Sequence, residues 1–263
     1  MTRVWEFTDD EFDVLWEQYT GGDLPPKPMT YTSRFEFQSD YARNAWEIRQ
    51  RLRDTLDGSI AEVLEVIARP EVLVQAMGWY DRNEEDPQKW IRARAVRSGA
   101  SGYILTQRPG ETAWHSGGFT ITECGPHGLA DAIVATLPNV GAGKQKSFPL
   151  DVGPKEEAEP VARGLVTERV NRPTIGPTER FFDTPADRTG VINVRQGHSK
   201  FGRRGILKQT LVWRDLPDDG RYVIELDDAP MAIGMGAGQL MTKVDTMIAG
   251  ILSRLETHWE VMG

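Results

Sequence analysis

Gly190-Val-Ile-Asn-Val-Arg195, Gly205-Ile-Leu-Lys-Gln-Thr-Leu-Val-Trp213, Arg221-Tyr-Val-Ile-Glu-Leu226 and Met231-Ala-Ile-Gly234 form four short apolar or alternating segments. They lead into a long helical stripe that begins near Gln239. Segments of this length and composition, bounded by Gly and Asp, read as strands. The same order occurs earlier in the chain. Glu71-Val-Leu-Val-Gln-Ala-Met-Gly-Trp-Tyr80 is followed by Trp90-Ile-Arg-Ala-Arg-Ala-Val96, Tyr103-Ile-Leu-Thr106, Phe119-Thr-Ile-Thr122 and the helical run Leu129-Ala-Asp-Ala-Ile-Val-Ala-Thr-Leu137. Identity between the two passes is low, so element order and length carry the argument. A pattern run through twice predicts two similar lobes about a pseudo-two-fold axis, sharing one sheet. Such a platform presents a surface; it does not obviously build a catalytic cleft.

The flanking segments fit a mixed helix and sheet protein. Thr8-Asp-Asp-Glu11 has the form of a capping box, followed by Phe12, Leu15, Trp16 and Tyr19 at helical spacing and stopped by Gly21-Gly22. Leu24-Pro-Pro-Lys-Pro28 is a stiff connector, and Arg34-Phe-Glu-Phe37 reads as a short strand or a helix lead-in. Tyr41, Ala45, Ile48, Leu52 and Leu56 mark a second helix. Ser59-Ile-Ala-Glu62 suggests another capping box before a short helix that Pro70 must end. In the closing helix, Leu240, Val244, Met247, Ile248, Ile251 and Leu255 repeat every three or four residues, the signature of a face packed on a core. These features divide the chain into an N-terminal lobe (1–150), a Pro-rich inter-lobe segment (151–189, with a short helix at Val161 to Val170) and a C-terminal lobe (190–263).

Composition excludes several classes of function. The 263 residues carry 31 Lys plus Arg against 39 Asp plus Glu, a net charge of −8, which disfavours general binding to nucleic acid or anionic membranes. The single cysteine, Cys124, rules out an internal disulfide framework and a Cys-rich zinc site. The opening residues do not read as a signal peptide, and no apolar run is long enough to span a bilayer, so a cytoplasmic protein is expected.

The motifs that resemble chemistry fail on inspection. Gly234-Met-Gly-Ala-Gly-Gln239 lacks the third glycine of a dinucleotide fingerprint and has no following parallel strand. Gly141-Ala-Gly-Lys144 has Pro138 where a phosphate loop needs its first glycine, and Gln145 where it needs Ser or Thr. Cys124 and His127 bracket a Gly-Pro turn, which accounts for their spacing without a thiolate pair. No acid, base and nucleophile come together, and no histidine has a metal-ligand spacing. The chain reads as a binding protein with no enzyme activity, no cofactor and no metal. One tight basic cluster interrupts its acidic surface. Lys200, Arg203 and Arg204 lie in the glycine-rich loop Gly197-His-Ser-Lys-Phe-Gly-Arg-Arg-Gly205, suited to acidic or carbonyl groups on a partner. The equivalent loop of the first pass, Asp81-Arg-Asn-Glu-Glu-Asp-Pro87, is acidic.

Read in order, these features resemble the EspG family, the chaperones associated with ESX (type VII) secretion in actinobacteria. The resemblance rests on the opening helix followed by Leu24-Pro25-Pro26 and on Ile67-Ala-Arg-Pro70 feeding into Val72-Leu-Val74. It continues through Gly190-Val-Ile-Asn-Val194, the hairpin Val212-Trp-Arg-Asp215 to Gly220-Arg-Tyr-Val223, and the closing amphipathic helix. It implies a quasi-two-fold α/β (α+β) fold, with a central, mostly antiparallel sheet flanked by helical bundles and a long C-terminal helix. It also implies a partner: the exposed tip of a helical PE–PPE heterodimer, kept soluble until export by the sheet surface and the C-terminal helical region. A homodimer of the unliganded protein is a further option.

Strand 205–213 offers two faces. Placing Leu207, Gln209, Leu211 and Trp213 inward leaves Ile206, Lys208, Thr210 and Val212 as partner-binding candidates beside the basic loop. The competing reading is a small-ligand or lipid carrier of the helix-grip kind, in which an antiparallel sheet wraps the terminal helix.

Overall fold

The computed structural model describes residues 2–145, 147–150, 177–198 and 205–260. In chain order the strands are β1 (Val4–Phe7), β2 (Val72–Trp79), β3 (Ile91–Ser98), β4 (Ser101–Pro109), β5 (Ser116–Glu123), β6 (Phe148–Pro149), β7 (Arg188–Gln196), β8 (Lys208–Leu216), β9 (Gly220–Glu225) and β10 (Met231–Gly234). The helices are α1 (Asp9–Thr20), α2 (Gln38–Thr55), α3 (Ser59–Ala68), α4 (Leu129–Ala135), α5 (Pro177–Asp183) and α6 (Ala237–Glu260).

All ten strands join one antiparallel sheet in the order β1-β5-β4-β3-β2-β7-β8-β9-β10-β6. Outward from the β2–β7 seam the halves run 2-3-4-5-1 and 7-8-9-10-6. A helix follows the fourth strand of each half, α4 after β5 and α6 after β10. This is the doubled order expected from the sequence, and it is the topology of a pseudo-two-fold axis through the seam. Phe148–Pro149 lies before residue 150 yet pairs with β10, so it supplies the outer strand of the second half.

The two faces of the sheet are covered differently. On the first, α4 and α6 pack together over the whole seam. Leu129, Ile133, Leu240, Val244, Met247 and Ile251 meet Val74, Ala95, Ile192, Leu211 and Trp213, all buried. Burying each large aliphatic side chain here contributes on the order of 1.5–3 kcal/mol. On the second face, α1 and α3 cover the first half through Phe12, Trp16, Leu64 and Ile67 against Val96, Leu105, Phe119 and Ile121. The outer part of the second half is covered by Phe181 of α5 and by Leu150, packed on Tyr222 and Ile224. Helix α2 packs on α1 through Ala45, Ile48 and Leu52 against Val14.

Local signals explain most boundaries. Thr8 and Glu11 form the expected reciprocal cap, and Gly21 closes α1 in the left-handed region at φ 79°. Arg34 to Phe37 is not a strand; Phe37 is the residue that leads into α2. The second capping box does not form. Ser59 is already helical, and its backbone N–H donates to Asp57 Oδ1 at 3.0 Å, so an upstream Asp takes the role expected of Ser59. The expected helix at Val161 to Val170 lies outside the described residues, as do Lys200, Arg203 and Arg204.

Candidate functional site

The described β8 candidates lie on the second face, between the parts covered by α3 and by α5. Leu211 and Trp213 point the other way and are fully buried in the α6 core, while Lys208 is exposed and Thr210 and Val212 are half-buried. Ile206, just before β8, is half-buried. The ladder registers set three rows across the seam on this face. Arg94, Gln75, Asn193 and Thr210 form one; Val96, Leu73, Arg195 and Lys208 the next; Arg92, Met77, Val191 and Val212 the third.

The middle of this face is polar and positively charged. Thr210 Oγ1 donates to Asn193 Oδ1 at 2.8 Å. Arg94 donates to the carbonyls of Lys27 and Ile67, both at 3.2 Å, and Gln75 also donates to Lys27 O. The Pro-rich connector is thereby pinned along the edge of the seam. Burial and the nearby charge of Arg195 hold the Arg94 guanidinium down to about 10, and burial holds Arg92 at about 10. Arg92 lies over the Trp90 ring at 4.3 Å. The Nε groups of Arg92, Arg94 and Arg195 are buried without a hydrogen bond.

Beside this strip, Leu150, Phe182, Val212, Ile224, Leu226 and Pro230 line an apolar groove of about 430 Å³, with Asp227 and Asp228 on its lip. Phe182 and Leu226 are 46% and 58% exposed, which makes the groove a sticky patch on the surface. Leu226 is held there by its own backbone N–H donating to Thr210 O at 3.1 Å. The sequence reading found Val212 but missed the rest of the groove. Leu150 and Phe182 come from distant segments, and Leu226 sits at a strand end where periodicity carries no signal.

The acidic loop after β2 has a structural task. Asp81 Oδ2 accepts from Arg214 Nη2 at 2.8 Å and from the Ala186 N–H at 3.0 Å, while Arg214 also donates to the carbonyls of Phe181 and Thr184. This ties the loop to the end of α5.

The motifs set aside in the sequence are accounted for by packing. The turn at Gly234 passes so close to Gly143 that a Cβ would lie 2.4 Å from its carbonyl oxygen, and Gln239 Oε1 accepts from the Gly236 N–H at 3.1 Å. Gly141 to Lys144 lies along the β8–β9 hairpin, where the Lys144 N–H donates to Asp219 at 2.7 Å and Gly143 lies against the Tyr222 ring. Burial pushes the Cys124 thiol up to about 11, the reverse of what a nucleophile needs. Among the described residues no group of three or more His, Cys, Asp or Glu is placed to hold a metal ion, and no helix is long and apolar enough to cross a membrane.

A duplicated antiparallel platform with helices on both faces, a cationic seam and an exposed apolar groove has the design of a protein that works by presenting surface. The chain belongs to the EspG family, whose sequence profile matches it over residues 8–232. Its fold is similar to that of the Mycobacterium tuberculosis type VII secretion system chaperone EspG5, solved in complex with the PE25–PPE41 dimer. The TM-score is 0.55 and the identity 11%, over 94% of this chain and 96% of that one. No curated protein matches the chain in sequence.

Proposed function

We propose that this protein is a cytosolic chaperone of type VII (ESX) secretion that holds the helical tip of a PE–PPE-type heterodimer and keeps it soluble for export. Membership of the EspG family is the observation that carries the reading. The surface suits the task. A client tip with exposed apolar side chains needs an apolar patch with a polar rim, and a specific complex buries roughly 1,200–2,000 Å² in total. The groove from Val212 to Leu226 supplies the patch, and the seam from Asn193 to Lys208 supplies the rim. In this reading Ile206, Lys208, Thr210 and Val212 meet the client, with Lys200, Arg203 and Arg204 of the preceding loop beside them. The lobes of residues 1–150 and 190–263, joined through 151–189, are the two arms of the platform, with Phe148–Pro149 and Leu150 crossing to the second arm. The protein acts by binding, without catalysis.

The helix-grip alternative loses its motivation. The α6 stripe interlocks directly with Val74, Ile192, Leu211 and Trp213, where a carrier of that kind would place its ligand.

The reading is tested by co-expression with PE–PPE-type pairs from the source genome, followed by size-exclusion chromatography. A stable ternary complex is expected with at least one pair. Leu226→Asp should abolish co-elution while leaving the melting temperature of the isolated chain unchanged. Failure of the wild-type chain with every pair would overturn the proposal.

A further inference from the structure

On an acidic protein, the seam carries positive charge that no ion pair among the described residues balances. Arg195 and Lys208 stand directly opposite one another across β7 and β8. Like charges at such a position repel, and neither has a carboxylate partner among the described residues. Arg94, 8% exposed, reaches only backbone carbonyls, and the Nε of Arg195 is buried with no acceptor. Elsewhere Arg34, Arg51, Arg214 and Arg221 each have a carboxylate. Asn193 accepts through its Oδ1 from Thr210, so its amide N–H groups remain to donate outward.

We infer that Arg195, Lys208 and Asn193 form an acceptor-binding site, which receives a carboxylate and the unpaired carbonyls at the C-terminal end of a partner's helix. The inference rests on the client reading above and specifies the chemistry of the client tip. The last four carbonyls of a helix lack intrahelical partners and carry the negative end of its dipole; at the tip of a helix hairpin they belong to the first helix, beside the donor end of the second, and a cationic site selects the former. A charged fork, a mobile ammonium group and a neutral amide donor within one patch match them. The adjoining groove would take the apolar side chains of the same tip, and Asp227 and Asp228, which also line it, would repel a tip docked with its carbonyls there.

Lys208→Glu in the full chain decides the matter with two readouts. The isolated variant should melt at the wild-type temperature or up to about 2 °C higher, because the substitution removes the repulsion with Arg195. A lower melting temperature would mean that the chain's own carboxylates already fill the strip, and the inference would fall. Affinity for a PE–PPE-type heterodimer that the wild-type chain binds should drop about 10-fold or more, with Arg195→Gln costing about 5-fold. The wild-type complex should weaken as NaCl is raised from about 0.15 M to about 0.5 M, since the contacts are ionic. Unchanged affinity for both variants would sink the inference while leaving the client reading standing. If the wild-type chain binds no pair at all, the client reading falls, and the melting readout alone decides whether the strip is unfilled.

Discussion

Asp215 and Arg221 face each other in register across β8 and β9 and form a bidentate ion pair, Nε to Oδ1 at 2.7 Å and Nη2 to Oδ2 at 2.8 Å, with both side chains almost wholly buried. Arg221 Nη2 also donates to Pro138 O at 2.9 Å, which anchors the chain leaving α4 to the second half of the sheet. Removing one partner strands the other charge in the interior. Asp215→Ala should therefore cost about 3–5 kcal/mol by chemical denaturation, whereas joint replacement by Leu and Met should cost much less. Equal losses for the single and double variants would show that packing, and not the stranded charge, sets the penalty.

Trp213 lies over a slot of two glycines. It pairs with Gly190, which pairs in turn with Gly78, and its ring occupies the space a side chain would need at either. A Cβ on Gly190 would sit 2.1 Å from the indole and 2.5 Å from the Met77 carbonyl, while one on Gly78 would be 2.8 Å from the indole. Gly190→Ala should therefore destabilise by roughly 1–3 kcal/mol or more, with Gly78→Ala the milder of the two, because backbone as well as side chain must move at Gly190. Denaturant midpoints for the two variants provide the comparison; the reverse order would contradict this account of the slot.

The doubled order was legible because each pass alternates or runs apolar over four or more residues, as Val72 to Ala76 and Val191 to Val194 do, and because α6 repeats its apolar residues over 24 positions. Other features left no periodic trace. β6 is two residues long, too short for alternation to appear. The connector's hold on the seam depends on Lys27 O meeting Gln75 and Arg94, 48 and 67 residues away, through a backbone atom that any residue would supply. Ser59 has the composition of a cap but is displaced by Asp57 two residues earlier. At the candidate surface, alternation separated Thr210 and Val212 from the buried Leu211 and Trp213, but Gln209, expected inward with them, is exposed. Alternation was silent on Leu226 and Phe182, whose exposure is a tertiary property.

Ile248 tests the core reading of α6. It is 7% exposed and belongs to the cluster that joins α4, α6 and the seam strands. Ile248→Ala should destabilise by about 2–5 kcal/mol, through lost transfer energy and the cavity left behind. The neighbouring Ala249 borders an open recess with Asp245 and Leu252, so Ala249→Ser should change stability by less than about 0.5 kcal/mol. A small effect at Ile248 would mean that this stretch of the helix is not packed on the sheet.

Asp13 couples the α1–α2 contact to pH. Burial, reinforced by the neighbouring carboxylates Glu17, Asp10 and Asp9, pushes its carboxyl up to about 6, against an opposing hydrogen bond donated by the Tyr41 hydroxyl at 3.1 Å. The surrounding cations are engaged elsewhere: Arg49 pairs with Glu17, Arg51 with Glu11 and Arg34 with Asp9. An acid whose folded value is raised is protonated more readily in the folded state than in the unfolded chain. Its contribution is therefore fully present below the ordinary Asp range near 3.8 and is lost as pH rises through about 6. Asp13→Asn removes this titration. The stability of wild type relative to the variant should be highest near pH 4 and fall steadily to a plateau above pH 7. Urea unfolding of both proteins at several pH values gives that difference directly, and a flat difference across the range would show that Asp13 titrates at its ordinary value.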